Sequence, residues 1–150
     1  MLKAGDTIPE FHSILQNGNT ISSNDFEGKK IALYFYPQDN TPTCTEEACN
    51  LRDNYHELVK RGFRVIGVSP DSLKKHTNFI KKFNLPFDLI SDPDLKLIRL
   101  FGVWGPKKLF GRVYDGVLRT TFIIEDRKIV RVIDAVVSKS HATQIVEEDH

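Results

Sequence analysis

Two apolar runs of similar character, "KKIALYFYP" (residues 29–37) and "GFRVIGVSP" (62–70), lie a helix-length apart in this chain. Neither alternates apolar with polar as a half-exposed strand would, so each reads as a strand covered on both faces, the habit of a parallel sheet. Between them "CTEEACNLRDNYHELVKR" places Ala48, Leu51, Tyr55, Leu58 and Val59 at helical spacing. The three segments make a β-α-β unit. Downstream, "SLKKHTNFIKKFN" predicts a second helix, "LPFDLIS" a short third strand, and "PDLKLIRLFG" a further helix stopped at Gly102.

From Val117 the rhythm changes. "VLRTTFIIEDRKIVRVIDA" carries two β-branched runs about a polar "EDRK" turn, the signature of an antiparallel hairpin. Parallel strands closed by a hairpin and a terminal helix give an α/β, thioredoxin-like sandwich: a mixed central sheet flanked by helices, extended by an N-terminal segment. "GVWGPKKLFGRVYD" (102–115) fits no element and reads as a long loop, a place where function concentrates. "SHATQIVEEDH" reads as a short final helix. With 150 residues, 40% hydrophobic and 27% charged, and no internal repeat, residues 1–150 are expected to form one domain with a true core.

A formal net charge of +1, with Lys and Arg interspersed among Asp and Glu, argues against a nucleic-acid groove or an anionic membrane surface. The start "MLKAGDTIPEF" has no leader pattern, and no window approaches a membrane span, so a cytoplasmic protein is expected. The chain has two cysteines, Cys44 and Cys49. They are too few to staple a fold of this size, and a close pair in an intracellular chain points to redox or metal chemistry. A structural zinc site would want further Cys or His ligands nearby in sequence, and they are missing. His56 and His76 fall on predicted helices among charged neighbours and read as solvated, while His12, His141 and His150 sit near chain ends. None of the five is assigned a catalytic role. The glycines form no phosphate-binding loop, so no nucleotide cofactor is expected.

Thr43 and Glu46 fit a capping box, which would put Cys44 in the first helical turn with Pro42 just outside it. There, free backbone N–H groups and the helix dipole stabilise an anion, so Cys44 is expected to be a ready nucleophile. Cys49, over a turn further on among apolar neighbours, should be partly buried and lack that stabilisation. Five residues on an ideal helix put the two Cα atoms about 8.5 Å apart, whereas a disulfide needs them within about 7 Å. A bond between them therefore requires the first turns to unwind.

The segment Pro37-x-x-x-Thr41-x-x-Cys44 is similar to the active-site signature of peroxiredoxins. "TEEACNLRD", with the second cysteine at plus five, resembles the bacterioferritin comigratory protein, or peroxiredoxin Q, branch. "GDTIPEF", "FGVWG" and "YDGVLRTTFII" resemble that branch in the same order. One departure is Thr43, where members often carry glycine. The resemblance implies a peroxidatic role for Cys44, whose thiolate attacks a hydroperoxide to leave a sulfenic acid. It implies Cys49 as resolving thiol, Thr41 as the hydroxyl that orients the peroxide, and Pro37 as a shield for the sulfur. Arg119, expected on a sheet strand, would donate to the thiolate and the departing oxygen, and Glu47 would hold that arginine. By residue type alone Arg119 is an ordinary surface charge; the "RTTF" context argues otherwise.

The resemblance further implies reduction of hydrogen peroxide and organic hydroperoxides, an intramolecular disulfide, and recycling by thioredoxin or a glutaredoxin. It implies no metal, haem or flavin, and a resolving thiol in the same chain makes a monomer the expectation. A thiol-disulfide oxidoreductase would instead favour C-x-x-C, which is absent. A non-catalytic binding or chaperone module would leave the cysteine pair without a task. Trp104 and Phe110 read either as a cover over the site or as core closure.

Overall fold

The computed structural model describes residues 1–147. Along the chain lie β1 (His12–Leu15), β2 (Thr20–Ser22), β3 (Lys30–Phe35), α1 (Pro42–Asp53), α2 (Tyr55–Lys60), β4 (Phe63–Ser69), α3 (Leu73–Phe83), β5 (Asp88–Ser91), α4 (Lys96–Leu100), β6 (Trp104–Leu109), β7 (Arg112–Val117), β8 (Thr120–Glu125), β9 (Lys128–Ile133) and α5 (His141–Val146). Seven strands form one sheet in the order β2-β1-β5-β4-β3-β8-β9, and β6 and β7 pair apart from it. The mixed sheet and its flanking helices are the thioredoxin-like arrangement expected of this pattern.

β3 runs parallel to β4 and antiparallel to β8, which places it mid-sheet, and five of its six residues are buried. That is why its sequence shows no alternation. Its two faces still divide by period two. Ile31, Leu33 and Phe35 enter one core with Leu97, Ile98 and Phe101, while Ala32, Tyr34 and the following Tyr36 enter the other with Cys44, Ala48, Leu51, Leu58, Phe79, Ala142 and Ile145. Cys44 is thus a member of the second core. Gly67 of β4 lies opposite Tyr34 in the sheet. A Cβ there would come within 2.9 Å of the Tyr34 ring and 2.7 Å of Leu89, so only glycine admits the tyrosine.

Two elements differ from the sequence expectation, and the expected N-terminal extension gains strands that the sequence left unassigned. The helix read across residues 44–61 is two helices meeting at Asn54, whose backbone (φ −109°, ψ 11°) departs from helical values while its side-chain amide donates to the Asn50 carbonyl at 2.8 Å. The stretch 102–115 is largely the hairpin β6–β7, turning at Phe110 and Gly111, both with positive φ (51° and 78°). Its strands are mostly exposed, so no hydrophobic period marks them. The N-terminal extension supplies β1 and β2, an antiparallel pair added at the β5 edge.

The other expectations keep their places. β8 and β9 pair as a hairpin with Asp126 and Arg127 at positive φ (49° and 69°) in its two-residue turn. Gly102, at φ 73°, follows α4. The final helix spans His141–Val146, and His150 lies outside the described residues. Among the described residues no helix is long and apolar enough to cross a membrane.

Candidate active site

α1 starts two residues earlier than the expected capping box, whose N-cap would have been Thr43. Its N-cap is Thr41, Pro42 occupies the first helical position, and the first intrahelical bond runs from Thr45 N to Thr41 O at 2.8 Å. Proline is favoured there because its missing N–H would have gone unused. Thr43 and Cys44 therefore carry the backbone amides that have no acceptor within the helix, and they flank the sulfur. Cys44 keeps its place in the first turn at 2% exposure. Both cysteines are free thiols on one unbroken helix, with Cys49 partly buried as expected.

Arg119 sits not within a strand but in the two-residue link Leu118–Arg119 between β7 and β8. Released from sheet pairing, its side chain reaches across to α1. Nη2 donates to Cys44 Sγ at 3.1 Å and Nη1 donates to Glu47 Oε1 at 2.5 Å. Burial opposes the charge of this guanidinium, but Glu47 and Cys44 outweigh it and hold the pKa above its ordinary value. It is a fixed cation, not a surface charge. Glu47, three residues after Cys44, lies on the same helical face and is fully buried. Burial pushes its carboxyl up to about 7, against the pull of Arg119.

Thr41 Oγ1 donates to the Gln38 carbonyl at 3.0 Å. Its proton is spoken for, so its lone pairs remain to accept a hydrogen bond from an incoming hydroxyl. Pro37 is half-buried between β3 and the loop leading to α1. All six residues singled out from the sequence thus fall on β3's exit loop, the first turns of α1 and the β7–β8 link.

Other groups at this site gave no sequence signal. His141 is fully buried on α5, contrary to its reading as a chain-end residue without a role. Its Nδ1 donates to Gln144 Oε1 at 2.9 Å, because that oxygen also accepts from Val137 N at 2.9 Å. Nε2 then accepts from Thr121 Oγ1 at 2.7 Å and faces Glu47 Oε2 at 3.6 Å. Burial lowers His141 to about 4, so it is a neutral imidazole. Tyr34, beneath α1, is raised well above its ordinary value by burial and then by the fields of Glu47, Asp39 and Cys44. Its hydroxyl and Glu47 Oε2 are buried without a hydrogen-bond partner. Spacing could have flagged Tyr34, which shares a strand face with Tyr36.

On β6, Lys107 is half-buried and lowered by burial and by Arg119, with Cys44 acting the other way. The hairpin thus brings a second cation into the field of the thiol. Trp104 packs against the core, whereas Phe110, 94% exposed at the hairpin tip, neither covers the site nor closes the core. His76, read as solvated, is fully buried on α3, while His56 is exposed as expected and His12 is exposed on β1.

A buried thiol held between a helix N-terminus and a guanidinium, with a hydroxyl acceptor beside it, is suited to attack an oxygen whose leaving group becomes anionic. The sequence pattern of the AhpC/TSA family matches residues 4–133. Peroxiredoxin Bcp of Escherichia coli is 44% identical over 141 residues, covering 93% of this chain and 90% of that protein. Peroxiredoxin Bcp of Bacillus subtilis is 40% identical over 147 residues, covering 97% and 94%. The solved structure of peroxiredoxin Q from Xanthomonas campestris superposes with a TM-score of 0.85 at 33% identity, covering 91% of this chain and 87% of that one. Sequence, architecture and site agree: the chain belongs to the AhpC/TSA family and, within it, to the bacterioferritin comigratory protein, or peroxiredoxin Q, branch of the peroxiredoxins.

Proposed function

We propose that this thiol-dependent peroxidase uses Cys44 as its peroxidatic nucleophile and Cys49 as its resolving thiol. The observation that carries the assignment is the Arg119 guanidinium, bonded at once to Cys44 Sγ and Glu47. A delocalised, always-charged donor at the sulfur remains in place for the oxygen that leaves. In the first half-reaction the Cys44 thiolate attacks the distal oxygen of a hydroperoxide. The O–O bond breaks, an S–O bond forms, and the leaving oxygen takes a proton to depart as water or an alcohol. Thr41 Oγ1 accepts the peroxide's hydrogen bond, the Thr43 and Cys44 amides donate to its oxygens, and Pro37 keeps bulk water off the sulfur.

In the second half-reaction the first turns of α1 unwind and the Cys49 thiolate attacks the sulfenic sulfur. The S–S bond forms, the S–O bond breaks, and the leaving hydroxide takes up the proton that the Cys49 thiol released, departing as water. The wound helix separates the thiols by more than a disulfide spans, which supports two conformations for two steps. An outside dithiol, thioredoxin or a glutaredoxin, then supplies two electrons to restore both thiols. Hydrogen peroxide and organic hydroperoxides are the substrates in this reading, and the role is antioxidant. A resolving thiol in the same chain lets the protein act as a monomer, and the reducing cytoplasm suits a pair of free thiols.

The test is peroxide consumption coupled to thioredoxin and its reductase. Cys44→Ser should abolish turnover, and Cys49→Ser should leave one reduction of peroxide per protein and stop the cycle. Sustained turnover by Cys44→Ser would remove the assignment.

A further inference from the structure

The loop between β3 and α1 is tied down at Asp39, five residues before Cys44. Tyr36 Oη donates to Asp39 Oδ1 at 2.5 Å, and His76 Nδ1 meets Asp39 Oδ2 at 2.6 Å. The Asp39 amide donates to Asp71 Oδ2 at 2.8 Å, and Ser69 Oγ donates to the same oxygen at 2.6 Å. His76 Nε2 lies 2.9 Å from the Ile90 carbonyl. Asp39, Asp71 and His76 are all buried. They bring one ligand-type atom each within 4.8 Å of one another. Hydrogen bonds within the protein already occupy both Asp39 oxygens, both His76 ring nitrogens and Asp71 Oδ2, so the cluster reads as a tie and not as a cation site.

The proton inventory shows how strong the tie is. A carbonyl only accepts, so His76 Nε2 carries a hydrogen. A bond between Nδ1 and Oδ2 then needs one further proton between them. Asp39 and His76 are therefore neutral as a pair, either imidazolium with carboxylate or imidazole with carboxylic acid, and neither leaves an uncompensated charge in the core. Opening the contact would strand a buried donor and a buried acceptor.

We propose that Asp39 and His76 are positioning residues for the peroxidase reaction: together they latch the loop that launches α1, favouring the wound helix that serves peroxide reduction over the unwound one that serves disulfide formation. The inference rests on the two-conformation reading above. With the latch closed, only Asn40 and Thr41 separate a fixed point from the helix, and Lys82 Nζ also holds Asn40 Oδ1 at 3.1 Å. With it open, the free segment lengthens back to Pro37 and the first turn of α1 loses its anchor on α3.

The experiment follows a single turnover by quenched-flow mass spectrometry in wild type, the near-isosteric Asp39→Asn, His76→Gln, and the milder Tyr36→Phe. Two rate constants are read, one for oxidation of Cys44 by peroxide and one for formation of the 44–49 bond. Weakening the buried Asp39–His76 hydrogen bond should slow the first by about tenfold in Asp39→Asn and His76→Gln, while the second is unchanged or faster. Tyr36→Phe, which deletes one hydroxyl and keeps the ring, should move the ratio of the two constants in the same direction by less. A lowered melting temperature with both constants within about twofold of wild type, or both slowed equally, would reduce the cluster to a structural tie and overturn the proposal. If wild type itself forms no 44–49 bond, it is the resolving role of Cys49 that fails, and the oxidation step alone then decides on the latch: unchanged oxidation in Asp39→Asn and His76→Gln overturns it.

Discussion

Glu47 and His141 face each other across 3.6 Å behind the nucleophile, and both are buried ionisable groups whose titration is displaced in opposite senses. Glu47 is raised from 4.5 to about 7, so the folded protein retains a proton that the unfolded chain releases. Its contribution to stability is full below pH 4.5 and is lost as pH rises through about 7. His141 is lowered from 6.5 to about 4, so its contribution is full above pH 6.5 and is lost as pH falls through about 4. Between pH 4.5 and 6.5 the two slopes, each about 1.4 kcal/mol per pH unit, oppose one another. Glu47→Gln should therefore gain about 3 kcal/mol on wild type as pH is raised through Glu47's window, and His141→Asn should gain a similar amount as pH is lowered through His141's. Urea unfolding at a series of pH values checks both, and pH-independent differences would refute the assignment. At this scale the sequence disclosed the groups that travel in a motif, Cys44, Thr41, Glu47, Cys49 and Arg119. It did not disclose His141 or the Asp39–His76 contact, because partners 94 and 37 positions apart meet only once the sheet has formed.

α1 performs its function as an element held by its neighbours at both ends. Asn50, adjacent to Cys49, accepts from Ala142 N at 2.8 Å through Oδ1 and donates to the Lys139 carbonyl at 2.9 Å through Nδ2. This clasp fixes the rear of the helix to the entry of α5, away from the front turn that unwinds in the proposed mechanism. Asn50→Ala should cost about 1 kcal/mol, since it leaves the Ala142 amide without its acceptor while the exposed Lys139 carbonyl turns to water. The cost should appear as a lower urea midpoint together with faster amide exchange in residues 138–146. An unchanged midpoint would show that the clasp contributes nothing. Elements were legible in proportion to their burial. β3, β4 and the β8–β9 pair announced themselves by apolar runs, whereas β6–β7 has too little core contact to impose a pattern, and the break at Asn54 interrupts a helical periodicity that runs on through it.

Across the whole molecule, one sheet face is a plain hydrophobic core and the other carries the chemistry, with Cys44, Tyr34 and Tyr36 counted among its packed residues. The layered architecture followed from the sequence because strand and helix periods are local properties. The site's inner walls did not, because they are built from polar residues that only the assembled sheet brings together. Cys44 is packed into that second core, so the proposed resolution by Cys49 requires part of the fold to be undone locally. The most direct measurement is hydrogen exchange by mass spectrometry on reduced protein and on protein treated with one equivalent of peroxide. The account predicts an internal 44–49 bond in the treated sample together with lost protection over residues 45–49, while β3, β4 and β8 keep theirs. A 44–49 bond with α1 still fully protected, or oxidised protein whose two sulfurs stay unlinked, would contradict it.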